Sequence, residues 1–390
     1  MTGSRSPYSP FLLLCFGFVI CGTVTVLAGP LLPVLAARWG LRDVQSGEFF
    51  AAQFAFSTAG AILSPLRLRR NLSGGYALIA AGLFLLYLAA GTARPVSGHV
   101  LGLAAFSLIG LGIGLSVTAT NLHVGATSAN RARRLSLVNL SWGCGAVACP
   151  GLIAAAERTS HLRFLLVLIG LAAAGIFAAL APILRLPDRA TTESLPPVAF
   201  DTRLLAFFAL FLFLYVGMEN AVGGWITTYT HRFNGMSLED ASIMVSLYWL
   251  ALLAGRGIGS LALSFLPERA VLLSGFLLAL SALSLLLVPR SASSAMIAVA
   301  ATGMGFGPVF PIAVSRMLAR AKDPRSTGWV FAVSASGGAT LPWLTGFLST
   351  HSGSLRIGFI VPGASLCAIF VLAMLENKIL GEPAPSPVAT

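Results

Sequence analysis

Charged residues are scarce in this chain of 390 residues: only 10% are Asp, Glu, Lys or Arg, whereas 56% are hydrophobic. So few charges cannot cover the surface of a water-soluble globule of this length, which excludes a soluble domain as the main architecture. The missing polar surface predicts that most of the chain faces lipid.

Acidic residues are rarer than basic residues, with 13 Asp and Glu against 25 Lys and Arg. Such an excess of positive charge would also suit a nucleic-acid-binding protein. Here, however, the arginines form short clusters between apolar runs, where the positive-inside rule places them in membrane proteins. We therefore expect the lipid bilayer as a partner and no nucleic acid.

Cysteine and histidine are also few, with five residues of each. The cysteines lie inside apolar stretches without zinc-ligand spacing, so we expect no metal, no disulfide and no cofactor. No Ser, His and Asp residues converge within the apolar runs, which argues against an enzyme. The first apolar run lacks a cleavage site for a signal peptidase and is followed by further runs, so it is predicted to be the first membrane helix.

The apolar runs and their Gly, Pro and charged breaks predict an all-α membrane protein with twelve transmembrane helices in two six-helix repeats. The predicted spans are 11–37, 44–66, 74–92, 99–122, 135–156, 162–185, 204–230, 239–264, 270–288, 294–318, 328–350 and 355–378. The predicted domains are an N-terminal bundle (1–186), a polar linker (187–203) and a C-terminal bundle with a short tail (204–390). Roughly two thirds of the Lys and Arg residues fall on the side of the termini, which predicts that both termini are cytoplasmic in a cell (inner) membrane.

Glycine spacing indicates that the two halves are related. A Gly-x-Gly-x-Gly pattern occurs in both the fourth and the tenth span, at Gly110, Gly112 and Gly114 and at Gly303, Gly305 and Gly307. A dinucleotide-binding loop would need a preceding strand and a soluble βαβ unit, and neither is present. Close helix packing is the favoured interpretation, and two parallel six-helix repeats are the arrangement of major facilitator transporters.

Glu219 is the most informative residue, because acids are almost absent from the spans and it lies near the middle of the seventh. A carboxylate at that depth costs at least about 2.5–3.5 kcal/mol on insertion scales. It must therefore face a cavity, find a partner or bind a proton. We interpret Glu219 as the proton-coupling residue of a carrier, and a hydrogen-bonded structural role is the alternative.

Amide and aromatic side chains near the middle of the spans are candidate substrate contacts. A sugar needs this mixture, because its hydroxyls bond amides and its apolar ring face packs on aromatic planes. The candidates are Gln53, Asn139, Trp142, Tyr215, Asn220, Trp225, Tyr248 and Trp249. Arg256, near the end of the eighth span, is a candidate gating residue that would bind a carboxylate or a helix C-terminus, and snorkelling is the alternative.

Four segments resemble the fucose:proton symporter group of the major facilitator superfamily: GLGIGLSVTATNLHVG, RARRLSLVNLSWGCGAVACPG, YVGMENAVGGWITTY and AGRGIGS. The resemblance covers 11–378 and implies a monomer that takes up a monosaccharide by alternating access, driven by protons or, in some relatives, by sodium. It implies that Asn139 is a site amide, and Asn121 is also kept as a candidate contact. The acids that the symporters have near Gly29 and at Val117 are missing, so coupling would fall to Glu219.

Two other functions stay open at this stage. An exporter of drug-like or amphipathic solutes would share the fold and would have a largely apolar cavity, to which Phe306 and Phe310 could contribute. A membrane sensor that kept the fold but lost turnover is suggested by Val117. The mid-span amides favour a hydroxylated ligand and therefore the sugar transporter.

Overall fold

The computed structural model describes residues 9–127, 131–180, 201–288, 291–321 and 328–381, and these are helical almost throughout. The first six crossings are α1 (Ser9–Val26) with α2 (Ala28–Trp39), α3 (Asp43–Leu63), α4 (Leu68–Gly91), α5 (Pro95–Thr127), α6 (Arg131–Arg158) and α7 (Leu162–Leu180). The next six are α8 (Thr202–Phe233), α9 (Leu238–Ala262), α10 (Glu268–Leu287), α11 (Ala292–Phe306) with α12 (Val309–Arg320), α13 (Gly328–Ser352), and α14 (Leu355–Gly358) with α15 (Ile360–Leu380). We call these sets the N-terminal and C-terminal halves.

The terminal face of the bundle is the end at which α1 begins and α15 finishes, and the opposite face is the end that holds the connection between α2 and α3.

Most of the predicted linker lies outside the described residues. Its last residues, predicted as linker up to 203, belong instead to α8, which begins at Thr202 because the Asp201 side chain accepts a hydrogen bond from the backbone N–H of Leu204.

The first span, predicted as one helix over 11–37, is bent. Helices α1 and α2 meet at an angle of 43°. Pro30 accounts for the bend, because it has no N–H to donate to the carbonyl of Val26 and its ring crowds that carbonyl. The tenth span is interrupted in a similar way between α11 and α12, at Gly307 and Pro308.

The Gly-x-Gly-x-Gly patterns pack helices together, as predicted. A Cβ on Gly110 of α5 would overlap the backbone carbonyl of Gln53 in α3, and one on Gly303 of α11 would overlap that of Tyr248 in α9. The fourth span therefore packs on the second in the N-terminal half, and the tenth packs on the eighth in the C-terminal half. This equivalence supports the internal repeat inferred from glycine spacing.

The two halves contact each other through α2 and α8 and through α3 and α13. Gly29 of α2 approaches Gly223 and Gly224 of α8, where an added Cβ would lie 3.2 Å from the Gly223 carbonyl oxygen. Gly47 of α3 packs in the same way on the backbone of Trp343 in α13. Of the ion pairs between described residues, the two that join the halves both lie at the opposite face.

Replacing Gly110 with alanine should lower the melting temperature of the purified protein, because the new methyl group overlaps the α3 backbone and overpacking typically costs about 1–3 kcal/mol. Gly74→Ala is the matched control, since nothing lies within 4 Å of an added Cβ there. Thermal unfolding in detergent, followed by tryptophan fluorescence, measures the difference. An equal melting temperature for the two variants would contradict the packing role of Gly110.

Candidate functional site

A narrow crevice lies between the halves, next to the bend of the first span. Its lining residues are Thr25, Val26, Gly29, Phe50, Phe54, Asn220, Gly223, Gly224 and Trp249. Its free volume is about 10 Å³, roughly the room that one water requires. A solute the size of a sugar therefore requires the halves to move apart.

Two predicted contacts, Asn220 and Trp249, lie in this crevice. The Asn220 amide donates a hydrogen bond to the carbonyl of Val216 in its own helix, at 2.8 Å. Trp249 is 5% exposed, and its indole N–H has no hydrogen-bond partner. Trp142 of the N-terminal half packs edge-on against Trp249, with ring centroids 5.8 Å apart. The wall of the crevice thus contains a buried, unpaired donor beside aromatic rings.

The other two asparagines lie towards the terminal face. Asn139 is exposed and lies one turn before Gly143, which packs against Leu253 of α9. The Asn139 amide donates a hydrogen bond to the carbonyl of Leu135 in its own helix, at 2.8 Å. Asn121 is half-buried near the end of α5, roughly 16 Å along the helix from Gly110. The structure does not bring Asn121 to the crevice.

The remaining candidates are fully buried in this state. The Trp225 indole donates a hydrogen bond to the carbonyl of Pro342 in α13, at 2.9 Å. The hydroxyl of Tyr248 donates to the backbone carbonyl of Glu219, at 3.0 Å. Gln53 is 1% exposed, and its amide bonds the backbone of the first span. These side chains hold the walls of the crevice and do not line it.

Glu219 faces the interior of the C-terminal half and is 8% exposed. One carboxylate oxygen lies 2.9 Å from the hydroxyl of Tyr215 and 3.5 Å from a guanidinium nitrogen of Arg256. The same Tyr215 hydroxyl lies 2.9 Å from the backbone carbonyl oxygen of Phe306. Of the three outcomes expected for a buried acid, Glu219 has found a partner.

Arg256 connects this carboxylate to a cavity large enough for several waters. Its side chain is 36% exposed and borders a cavity of about 250 Å³ between α9 and the proline-rich start of α12. Glu268, the first residue of α10, lies at the edge of the same cavity on the terminal face. The Arg256–Glu219 pair lies within one half, so in this state it does not join the halves as a gate.

The closed opposite face is fastened by a polar cluster that we call the latch: Asp43, Arg232, Ser349 and Thr350. Asp43 of α3 accepts two hydrogen bonds of 2.8 Å from the Arg232 guanidinium of α8. The hydroxyl of Ser349 in α13 donates to the same carboxylate, and that of Thr350 accepts from a backbone N–H of α3. The Asp43 side chain is only 10% exposed, so these are charged bonds with little competition from water.

Sequence reasoning missed both the latch and part of the crevice wall. Asp43 and Arg232 stand at span ends, where charged residues usually need no explanation. Thr25 and Gly29 belong to an apolar run, and the signal that could have found them is Pro30, which predicts a broken helix. Phe50 and Phe54 share one face of α3, but their sequence pattern does not distinguish lipid from a neighbouring helix.

Comparisons with known proteins agree on the fold. A family model described as the major facilitator superfamily matches residues 14–322. A glucose/galactose transporter of Brucella abortus is 27% identical over 387 residues, which cover 93% of this chain and 92% of the relative.

Solved structures of transporters superpose over almost the whole chain. A bacterial homologue of the human lysosomal transporter Spinster, in an inward-facing and unoccupied conformation, has a TM-score of 0.76 at 14% identity and covers 99% of this chain and 100% of that chain. A point variant of the E. coli fucose:proton symporter FucP has a TM-score of 0.62 at 20% identity, with coverage of 95% and 99%. These similarities establish a twelve-helix transporter fold.

Removing the latch should open the opposite face. Asp43→Asn loses the charged pair with Arg232, and charged hydrogen bonds contribute about 1.5–3 kcal/mol each, so the ratio of open to closed molecules should rise roughly ten-fold or more. Spin labels at Ala37 and Ser237, both exposed at this face, measure the separation of the halves in a variant without native cysteines.

Asp240→Asn is the control for the latch, because Asp240 also joins the halves, to Arg158, but both of these side chains are more than half exposed. Exposed pairs contribute little, so its distance distribution should match that of the parent. If Asp43→Asn also matches the parent, the latch does not hold the face closed.

Proposed function

Because this chain belongs to the major facilitator superfamily, a family of transporters and not of enzymes, we propose that it imports a hexose-like monosaccharide by alternating access, coupled to protons through Glu219. The observation that carries this proposal is the crevice between the halves, which combines aromatic rings with the unpaired Trp249 N–H and the Asn220 amide. A relative named as a glucose/galactose transporter aligns over nearly its full length. Sodium is the alternative coupling ion.

We further propose that the terminal face is cytoplasmic, in a cell (inner) membrane, and that the protein works as a monomer. The excess of Lys and Arg on the side of the termini supports this orientation. The described state is then closed to the outside by the latch. Sugar would enter when the latch opens and would leave between α6 and α9 towards the cytoplasm, past Asn139.

The hydrogen bonds around Glu219 favour a carboxyl group that gains and loses a proton. Tyr215 has one hydroxyl proton, but two acceptor oxygens lie at 2.9 Å, on Glu219 and on Phe306. An ionised Glu219 leaves these oxygens to compete for that proton. A protonated Glu219 instead donates to the Tyr215 oxygen, and Tyr215 donates to Phe306, so every group is satisfied.

The surroundings of Glu219 also suit exchange of a proton with water. When Glu219 is ionised, Arg256 compensates its charge at 3.5 Å, as a buried acid requires. When Glu219 is protonated, Arg256 can turn towards water in the 250 Å³ cavity that it borders. The cavity therefore supplies both a proton path and a place for the released guanidinium.

Glu219→Gln should abolish proton-driven accumulation of hexose, because an amide cannot carry a proton across the membrane. A pH difference of one unit supplies about 1.4 kcal/mol, which supports roughly ten-fold accumulation at one proton per sugar. Uptake of labelled glucose and galactose into proteoliposomes with an acidic exterior measures the effect. We expect accumulation near one-fold for the variant, with sugar counterflow retained.

Glu48→Gln is the matched control for this experiment, since Glu48 pairs with His99 at the opposite face, away from the crevice. Accumulation by Glu219→Gln at the level of the parent would contradict coupling through this residue. If a sodium gradient alone drives uptake, sodium is the coupling ion.

Trp249→Phe should raise the KM for hexose about two- to twelve-fold, because it removes the unpaired N–H but keeps an aromatic ring, and one hydrogen bond is worth about 0.5–1.5 kcal/mol. Trp343→Phe is the control, since that ring stacks on Phe347 in α13. An unchanged KM in Trp249→Phe would remove Trp249 from the binding site.

An exporter of amphipathic solutes is the second candidate, because Phe50, Phe54 and Trp249 make much of the crevice apolar. The same uptake experiment separates the two functions. If no hexose moves in either direction and expressing cells resist a cationic toxin, the exporter replaces the sugar importer.

A further inference from the structure

At the bend of the first span, backbone carbonyls of α1 accept hydrogen bonds from a side chain of the neighbouring helix α3. Around a proline-induced break, backbone carbonyls lose their regular helical donors, and inside a membrane they need another partner. Here the carbonyls of Val24 and Thr25, in the last turn of α1, both accept hydrogen bonds from the side-chain amide of Gln53 in α3, at 3.2 and 2.9 Å.

Gln53 is placed for this role by its own backbone. Gly110 of α5 packs directly on the Gln53 main chain, where any larger residue would overlap it. The Gln53 side chain is 1% exposed, and its amide oxygen has no partner. The only hydrogen bonds described for this side chain are therefore the two that end on the first span, and they fix its orientation.

The bent segment is also the wall of the crevice. Thr25 and Val26 precede the bend and Gly29 follows it, and all three line the crevice opposite Asn220 and Trp249 of the other half. A straighter first span would change the distance between these two walls. The side chain that fixes the bend therefore fixes the width of the crevice without touching its contents.

We propose that Gln53 is a positioning residue for transport: its amide holds the bend of the first span through the carbonyls of Val24 and Thr25, and this bend shapes the substrate site. The sequence alone predicted a direct contact between Gln53 and the sugar. The geometry instead assigns the amide to the backbone. For its transport readout this inference rests on the proposed sugar import, whereas the bend itself can be measured without any sugar.

The test compares Gln53→Leu, which keeps the size of the side chain but has no donor, with Thr58→Val as a control. Thr58 lies on the same helix, and its hydroxyl bonds only a carbonyl of that helix, at 3.0 Å. Hydrogen–deuterium exchange in lipid nanodiscs follows the peptide that covers 24–35, and proteoliposome uptake gives KM and the maximal rate for glucose.

Gln53→Leu should exchange about ten-fold faster in this peptide and should raise KM by a similar factor, because two amide–carbonyl bonds are lost. Thr58→Val should change neither. Adding Pro30→Ala to Gln53→Leu restores the donor to the Val26 carbonyl and lets the first span straighten, so that the carbonyls of Val24 and Thr25 again accept from the backbone of the next turn. Exchange should then return to the parent rate while KM stays high, since the straightened span no longer shapes the crevice. A residue with only a general stabilising role would recover both values together.

The outcomes are distinguishable. A higher KM with unchanged exchange would mean that Gln53 contacts the sugar directly and would overturn the proposal, as would unchanged exchange with unchanged KM. If Gln53→Leu does not fold, Gln53→Asn, whose amide is one methylene too short to reach both carbonyls, replaces it with the same expectations. If even the parent moves no glucose, the sugar function fails, and the exchange rates still decide whether Gln53 holds the bend.

Discussion

The interior of a bilayer offers no water to a polar group, so each N–H, carbonyl or charge in a span must find its partner within the protein. Regular helices satisfy this requirement by themselves. Where a helix is interrupted, a side chain from elsewhere supplies the partner, as Gln53 does for the first span. Where a charged side chain is buried, an opposite charge must lie beside it, as Arg256 lies beside Glu219. The polar side chains of this protein therefore mark the places where its helices depart from regularity or approach each other.

The same constraint explains how the halves are joined. Their contacts in the membrane include small residues that let backbones approach, such as Gly29 against Gly224, and ring contacts such as Trp142 against Trp249, which add packing but no strong polar attraction. Charged bonds between the halves occur at the opposite face, where Asp43 and Arg232 meet at 2.8 Å. An interface between the halves that packs without strong polar bonds can separate. The latch at its edge then sets the balance between the open and the closed opposite face. This division suits a protein that must open on alternate sides.

Much of the fold follows from composition and periodicity, because long apolar runs leave few alternatives to membrane helices. The glycine pattern at Gly110 and Gly303 was correctly predicted to pack helices, since glycine has no side chain to act otherwise. The sequence could not predict the direction in which each candidate side chain points from its helix. Tyr215, Tyr248 and Trp225 have the right chemistry for a sugar site, but each one turns towards a backbone carbonyl of its own half. Which side of a helix faces the crevice depends on how the two halves dock, and no local pattern encodes that.

The position of Glu219 relative to the crevice suggests how sugar and proton could influence each other. Glu219 and Asn220 are consecutive residues of α8 and point roughly 100° apart, so the carboxylate meets Tyr215 and Arg256 while the amide lines the crevice. In the proposed mechanism, a sugar that pulls on Asn220 rotates or shifts one rigid helix. The same movement changes the separation between Glu219 and Arg256, and with it the balance between an ion pair and a bound proton. Coupling then needs no contact between sugar and carboxylate, because the helix that carries both residues transmits the strain.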